Sequence, residues 1–159
     1  MVRLAGSNNQ HLINRLESKI IIEKVATNDL ELPGVISFSI GYPTKDKILE
    51  VIASYKNVDN QLYGAYLNNQ LISIIGLSSN PDQAITVRHI STLPEFRGCR
   101  VGTLLLNNIK ENYVNCKMYA ETDEESVGFY RKHGFKCTPF QGKHSNLRFS
   151  CELAKSEFK

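Results

Sequence analysis

The run Arg97-Gly98-Cys99-Arg100-Val101-Gly102-Thr103 places two glycines and two arginines just ahead of an apolar stretch, Leu104-Leu105-Leu106. A glycine-containing loop that leads into a helix leaves the first backbone N–H groups without intrahelical partners, and the helix dipole adds partial positive charge there. Such a turn suits an anion, and glycine lets the backbone come close to it because no Cβ intervenes. On the glycines alone, an ordinary tight turn before a helix accounts for the pattern as well. The run is not a Walker A loop, since no Gly-Lys-Ser/Thr follows, and it is not the dinucleotide GxGxxG. His89, upstream, titrates near neutrality in its unperturbed state and is a candidate base. Strand alternation, in the absence of a bulge, puts Thr86 and Arg88 on one face and His89 on the other, which favours a structural histidine.

These residues need a scaffold, and the hydrophobic pattern supplies one. Lys19–Val25 is β-branched and reads as a strand. Thr27–Tyr42 is ambiguous; Pro33 and Gly34 break it, and a helix is expected after them. Pro43-Thr44 opens a helix over Lys45–Tyr55, with Ile48, Val51, Ile52 and Tyr55 on one face. Leu62–Leu67 and Leu71–Leu77 form a hairpin around Asn68-Asn69-Gln70, because Asn tolerates positive φ. After a turn at Asn80-Pro81-Asp82, Ala84–Leu93 is a strand that ends at Pro94. The loop follows, then a helix over Thr103–Val114 and a strand over Cys116–Glu121. Thr122–His133 reads as a helix with Thr122 and Glu125 as its capping box and Gly134 just past its end. Phe135–Thr138 and Asn146–Leu153 complete the sheet. The fold class is α/β: a mixed, mostly antiparallel sheet of six to seven strands with helices on both faces.

The 159 residues suit one domain over 19–159, preceded by a polar arm over 1–18 that reads as a loose segment or a short helix. Hydrophobic residues at 42% and charged residues at 22% are an ordinary soluble balance, which argues against disorder and a membrane protein. The net charge of +3 is spread among interleaved Lys, Arg, Asp and Glu, so no nucleic-acid stripe is seen. The four cysteines lack CxxC spacing, which argues against a zinc site or any other metal centre. Neither a signal peptide nor a membrane span is read, so a cytoplasmic chain with reduced thiols is expected, with one disulfide as the alternative.

The stretch from Arg88 to Leu105, with its Pro94-Glu95-Phe96-Arg97-Gly98 lead-in, resembles the GNAT N-acetyltransferase superfamily, whose loop pattern is Gln/Arg-x-x-Gly-x-Gly/Ala. A second block, Ala120–Phe135, ends in Phe129-Tyr130-Arg131-Lys132-His133-Gly134-Phe135 and resembles that family's second cofactor block. Order and separation agree, and the likeness is dense from Leu62 to Phe135. It implies that acetyl-coenzyme A is the cofactor. Arg97, Gly98, Cys99, Arg100, Val101, Gly102 and Thr103 would present backbone N–H groups to its diphosphate. Ile90 and Thr92 would pair with its pantetheine arm as an added strand, with a bulge near Ser91 freeing an N–H to polarise the thioester carbonyl. Tyr130 would protonate the leaving thiolate; read without the resemblance, it is a packing residue on an amphipathic helix. Phe129 would pack at the site, and Asp123 would contact the cofactor or cap a helix.

The implied activity is acetyl transfer to a primary amine by direct attack in a ternary complex, the acceptor being a small-molecule amine or a peptide. Neither nucleic acid nor a membrane is an expected partner, and a homodimer would be in keeping with the family. Two departures stand out. Arg100 occupies the position of the family's first loop glycine, and Ala84–Ser91 contains no carboxylate base, which leaves a water relay or an amine that arrives deprotonated. They motivate the alternative of a non-catalytic acyl-coenzyme A sensor or scaffold. Arg88 or Glu121 would border the acceptor pocket, while a covalent role for Cys99 is disfavoured because attack in the family is direct. Acceptor choice falls to Thr27–Asn60 and Pro139–Ser150, which carry no recognisable motif.

Overall fold

A computed structural model of the chain describes residues 7–155. Its order is α1 (Ser7–Glu17), β1 (Ile20–Lys24), α2 (Leu32–Ile36), α3 (Lys45–Ser54), β2 (Asn60–Leu67), β3 (Gln70–Ser79), β4 (Ile85–Thr92), α4 (Val101–Asn112), β5 (Met118–Thr122), α5 (Val127–Lys132), β6 (Lys136–Gln141) and β7 (Leu147–Leu153). One seven-stranded sheet runs β1-β2-β3-β4-β5-β7-β6. Every neighbouring pair is antiparallel except β4 and β5. The mixed, mostly antiparallel sheet expected from the sequence is therefore present, with helices on both faces.

Two apolar layers hold the helices to the sheet. Leu105, Leu106 and Ile109 of α4 pack with Ile72, Ile75, Leu77, Ile85 and Val87 on one face. Leu32, Val35 and Ile36 of α2 and Ile52 and Tyr55 at the end of α3 pack with Leu62, Leu71 and Ile74 on the other. Thr44 caps α3 by accepting the Lys47 N–H at 3.2 Å. Asn68 and Asn69 take φ of 49° and 65°, the pair of positive values a tight hairpin turn requires.

Several boundaries differ from expectation for identifiable reasons. Residues 1–6 of the polar arm lie outside the described residues; the rest forms α1, whose Ile13 is buried and whose Leu16 packs against the α4-side core. Pro33 and Gly34 do not precede a helix but lie within α2, Pro33 in the first turn, where its missing N–H costs nothing. Thr122 is not a helix cap; it closes β5 opposite Phe149. Asp123 takes over as the local organiser, accepting the Ser126 N–H at 2.9 Å, so that α5 begins only at Val127. Helix α4 starts at Val101, two residues earlier than expected.

The register decides what reaches the site. On β3 and β4, Gly76 faces His89 while Leu77 faces Val87, so Arg88 is an extra, bulged residue. The bulge therefore lies at Arg88 and not near Ser91. It also overturns the simple alternation. Ile85 and Val87 point to the α4 side; beyond the bulge it is Ile90 that packs there, while His89 turns to Tyr55 and Ser91 to Val35 on the α2–α3 side. Strand β4 pairs with β5 only over Ile85–Val87 against Met118–Ala120. Past Val87 the two strands part.

Candidate functional site

The parting of β4 from β5 opens a cavity of about 670 Å³. Its walls include Ile90, Ser91, Thr92, Arg97, Gly102, Asp123, Phe129 and Tyr130, eight of the residues singled out from sequence. Gly98, Cys99, Arg100, Val101 and Thr103 do not line it; they form the loop and first helical turn beside Gly102.

That loop is built to leave its N–H groups open. Pro94–Phe96 forms a short 3-10 turn, after which the Cys99 N–H returns to the Phe96 carbonyl. Gly98 at φ 79° and Arg100 at φ 64° then reverse the chain into α4. Among the described residues, the N–H groups of Gly98, Arg100, Val101, Gly102 and Thr103 have no hydrogen-bond partner. The side chains are occupied elsewhere: Val101 is buried in the core, Cys99 packs against it, and Thr103 Oγ1 meets His133 Nε2 at 3.1 Å. A Cβ on Gly102 would meet only Phe129 and Thr92, at 3.8 Å or more, so the fold does not demand glycine there. The residues fit an anionic group carried on backbone donors at the N-terminus of a twelve-residue helix.

Arg100 is the residue that fails the sequence pattern. Its left-handed φ is what the glycine usual at this position supplies freely, and a side chain there costs about 1–2 kcal/mol. In exchange it brings an exposed cation to the loop.

Along β4, Ser91 gives its hydroxyl to the Val35 carbonyl at 2.7 Å, and its own carbonyl accepts Ser73 Oγ at 2.7 Å. The Leu93 N–H goes to Ile72 on β3. Alternation then leaves the backbone groups of Ile90 and Thr92 on the edge that faces β5; the Thr92 carbonyl takes Arg97 Nε at 3.2 Å. Across the gap, Tyr130 is buried at 4% exposure, held edge-on between Phe129 and Phe135, each with ring centroids 5.3 Å away. Burial, then proximity to Cys151 and Cys137, raises its phenol pKa, so it stays protonated. Among the described residues its hydroxyl has no hydrogen-bond partner, yet no buried side-chain polar atom is left unsatisfied. The hydroxyl therefore opens onto the cavity. The four cysteines are free; Cys137 faces Cys151 across β6 and β7.

The α2–α3 side of the cavity holds residues the sequence did not single out. Phe38 and Ser39 follow α2, and the Phe38 ring lies 5.1 Å from the Arg97 guanidinium carbon. Arg148 enters from β7. Arg88 and Glu121 border the cavity. His89 lines it too, and its Nδ1 lies 2.6 Å from the Tyr55 hydroxyl. No motif marks Tyr55, because its partner lies 34 residues away.

Burial, followed by the Arg88 charge, holds His89 down at about 4 from an ordinary 6.5. Between those values the unfolded chain binds more protons than the folded one. The stability from this group is thus full above pH 6.5 and is lost as pH falls toward 4. Urea midpoints taken from pH 7 to 4.5 should decline, and His89→Gln should flatten the decline; equal slopes would count against it. His133, lowered chiefly by burial, contributes with the same sign and leaves a residual slope.

The model of the acetyltransferase (GNAT) domain matches residues 58–137, half of the chain and the part that builds β2 to α5. The chain belongs to the GNAT acetyltransferase family. A spermidine N(1)-acetyltransferase from Thermoplasma acidophilum is 31% identical over 107 residues, covering 62% of this chain and 65% of that protein. The chain thus spans just under two thirds of that relative's length. Two solved structures share the GNAT fold. An aminoglycoside 6'-N-acetyltransferase complexed with coenzyme A superposes with a TM-score of 0.76 at 14% identity, over 87% of this chain and 99% of that one. A GNAT family acetyltransferase from Elizabethkingia anophelis with acetyl-CoA bound gives 0.66 at 19% identity, over 85% and 97%. Among the described residues of this GNAT chain, no helix is long and apolar enough to cross a membrane, and no group of His, Cys, Asp and Glu is placed to hold a metal.

Proposed function

We propose that the chain transfers the acetyl group of acetyl-coenzyme A to a primary amine, by direct attack in a ternary complex. The observation that carries this reading is the meeting, at one cavity, of the loop whose five N–H groups are unpartnered, which reaches the cavity wall at Gly102, with the open hydroxyl of Tyr130. When bound, acetyl-coenzyme A supplies a thioester as the acyl donor. The N–H groups of Gly98 and Arg100–Thr103 hold the diphosphate, with Arg97 and Arg100 adding charge. The edge of β4 at Ile90 and Thr92 orients the pantetheine arm as a strand would be oriented. Tyr130 holds a proton ready for the departing sulfur. The acceptor enters past Phe38, Arg88, His89, Glu121 and Arg148, and its excess proton passes to water, since β4 carries no carboxylate. Transfer to spermidine and aminoglycosides is named for similar proteins, which supports a small amine as acceptor.

Purified chain should release coenzyme A thiol in the presence of acetyl-coenzyme A and at least one member of a panel of polyamines, amino acids, aminoglycosides and peptides. Binding of coenzyme A without amine-dependent release would overturn transfer in favour of a sensor or scaffold, the reading that the missing carboxylate supports.

The cradle has its own test. Gly102→Ala adds a methyl that the fold accommodates at ordinary contact distance, and alanine suits a helix better than glycine. The melting temperature should hold or rise slightly. Calorimetric affinity for coenzyme A should fall about ten- to a hundredfold, the worth of one hydrogen bond to a charged group. Unchanged affinity would place the diphosphate elsewhere.

A further inference from the structure

On the acceptor side the cavity presents hydrogen-bond donors that form no ion pair among the described residues. Arg88, exposed at the cavity rim, is tethered there: one Nη donates to Ser54 Oγ at 3.1 Å, and the guanidinium carbon lies 5.3 Å from the Tyr55 ring centroid. Its remaining N–H groups are free of acidic partners, because the only ion pair among the described residues joins Lys117 to Glu152 at the far end of β5. Arg148, half-buried on the same cavity, lacks an ion pair for the same reason.

His89 adds a third donor, and the neighbouring tyrosine determines which nitrogen supplies it. Tyr55 is buried, its phenol pKa is raised by that burial, and the one partner for its proton is His89 Nδ1 at 2.6 Å. The phenol therefore donates and Nδ1 accepts. A neutral imidazole has one N–H, so the proton sits on Nε2. Among the described residues Nε2 has no partner and no unsatisfied side-chain nitrogen is buried, so it opens to the cavity that His89 lines. Gly76 makes the pairing possible: it faces His89 on β3, and any Cβ there would lie 1.9 Å from the Tyr55 hydroxyl oxygen.

We infer that the acceptor amine carries a carboxylate, which Arg88 and His89 Nε2 receive with Arg148 beside them. This rests on the transfer reading and narrows its substrate class to amino acids and peptides with a free carboxylate. Glu121 lines the same cavity and, among the described residues, has no cationic partner, so it would face the amine end of such a zwitterion. Of the other acids on this cavity, Asp123 is held by the Ser126 N–H, and Glu125 lies on the turn before α5. A polyamine would meet the same three acids, but it would leave the guanidinium groups of Arg88 and Arg148 and the His89 N–H facing cations instead of an anion.

The test uses amines that differ in one group: amino acids and dipeptides, their carboxamides, and the corresponding decarboxylated amines, with kcat/KM read from thiol release. Free carboxylates should be preferred at least about tenfold, the worth of one charge-assisted hydrogen bond. Arg88→Gln should bring the carboxylate-to-carboxamide ratio to about one, chiefly through KM of the carboxylate substrate, and Arg88→Lys should restore part of it. Arg148→Gln serves as a second variant should Arg88→Gln fold poorly, and it should lower the same ratio. A wild-type ratio near one, polyamines as the best acceptors, or variants that slow both partners alike would overturn the inference and leave acetyl transfer standing. No thiol release with any amine would overturn the transfer reading itself, and this inference with it.

Discussion

Tyr130→Phe should lower kcat by about 10²–10⁴-fold, the range for losing a positioned general acid. The affinity for coenzyme A and the melting temperature should stay nearly unchanged. The substitution removes one oxygen from a ring clamped by Phe129 and Phe135, and that oxygen makes no bond to the protein. Nothing in the packing depends on it, which separates a chemical loss from a structural one. Burial keeps the phenol protonated across the working range, so the wild-type pH profile should show no limb due to this residue. A slower leaving group should make the deficit larger and a faster one should shrink it. A variant with wild-type kcat would remove Tyr130 from the chemistry and leave it a packing residue.

Gly76→Ala should be the most destabilising single methyl at the site, at about 3 kcal/mol, the upper end for overpacking a core. At about 2–4 °C per kcal/mol for a domain of this size, the melting temperature would drop by about 6–12 °C. The added Cβ would sit 1.9 Å from the Tyr55 hydroxyl oxygen and 2.4 Å from its ring carbon, so the whole ring must move. Moving it breaks the bond to His89 and frees Arg88 from the ring face. Gly34→Ala in α2 is the matched control: nothing lies within 4 Å of its Cβ, and alanine is the better helix former, so stability should rise. If the two variants behave alike, the close approach at Gly76 is not what holds Tyr55.

Much of this architecture can be read from residue order. The i, i+3, i+4, i+7 spacing from Ile48 to Tyr55 marks α3, and Asn68-Asn69 marks the hairpin. The loop from Arg97 to Thr103 announces itself through glycine and its place between strand and helix. What stayed hidden depends on partners remote in sequence. The bulge at Arg88 arises from how β3 and β4 register, and no local signal in Val87-Arg88-His89 reveals it. Because a single extra residue inverts every later side chain, alternation misplaced His89. Tyr55 looks like any core-facing residue of α3 until the fold brings β4 beneath it. The Thr122–Glu125 spacing imitates a capping box, but pairing with β7 carries Thr122 into the sheet, and Asp123 organises the turn instead.

The short β4–β5 ladder has a consequence for what the fold admits. An unpaired strand edge on the outside of a sheet invites another chain to add to it. Here the free edge beyond Val87 lies in the middle of the sheet, with four strands on one side and three on the other. A folded neighbour cannot reach it, so it carries little risk of edge-to-edge aggregation. A slender, unbranched arm can, and the slit thus acts as a gauge of cross-section: it selects by girth before any side chain selects by charge.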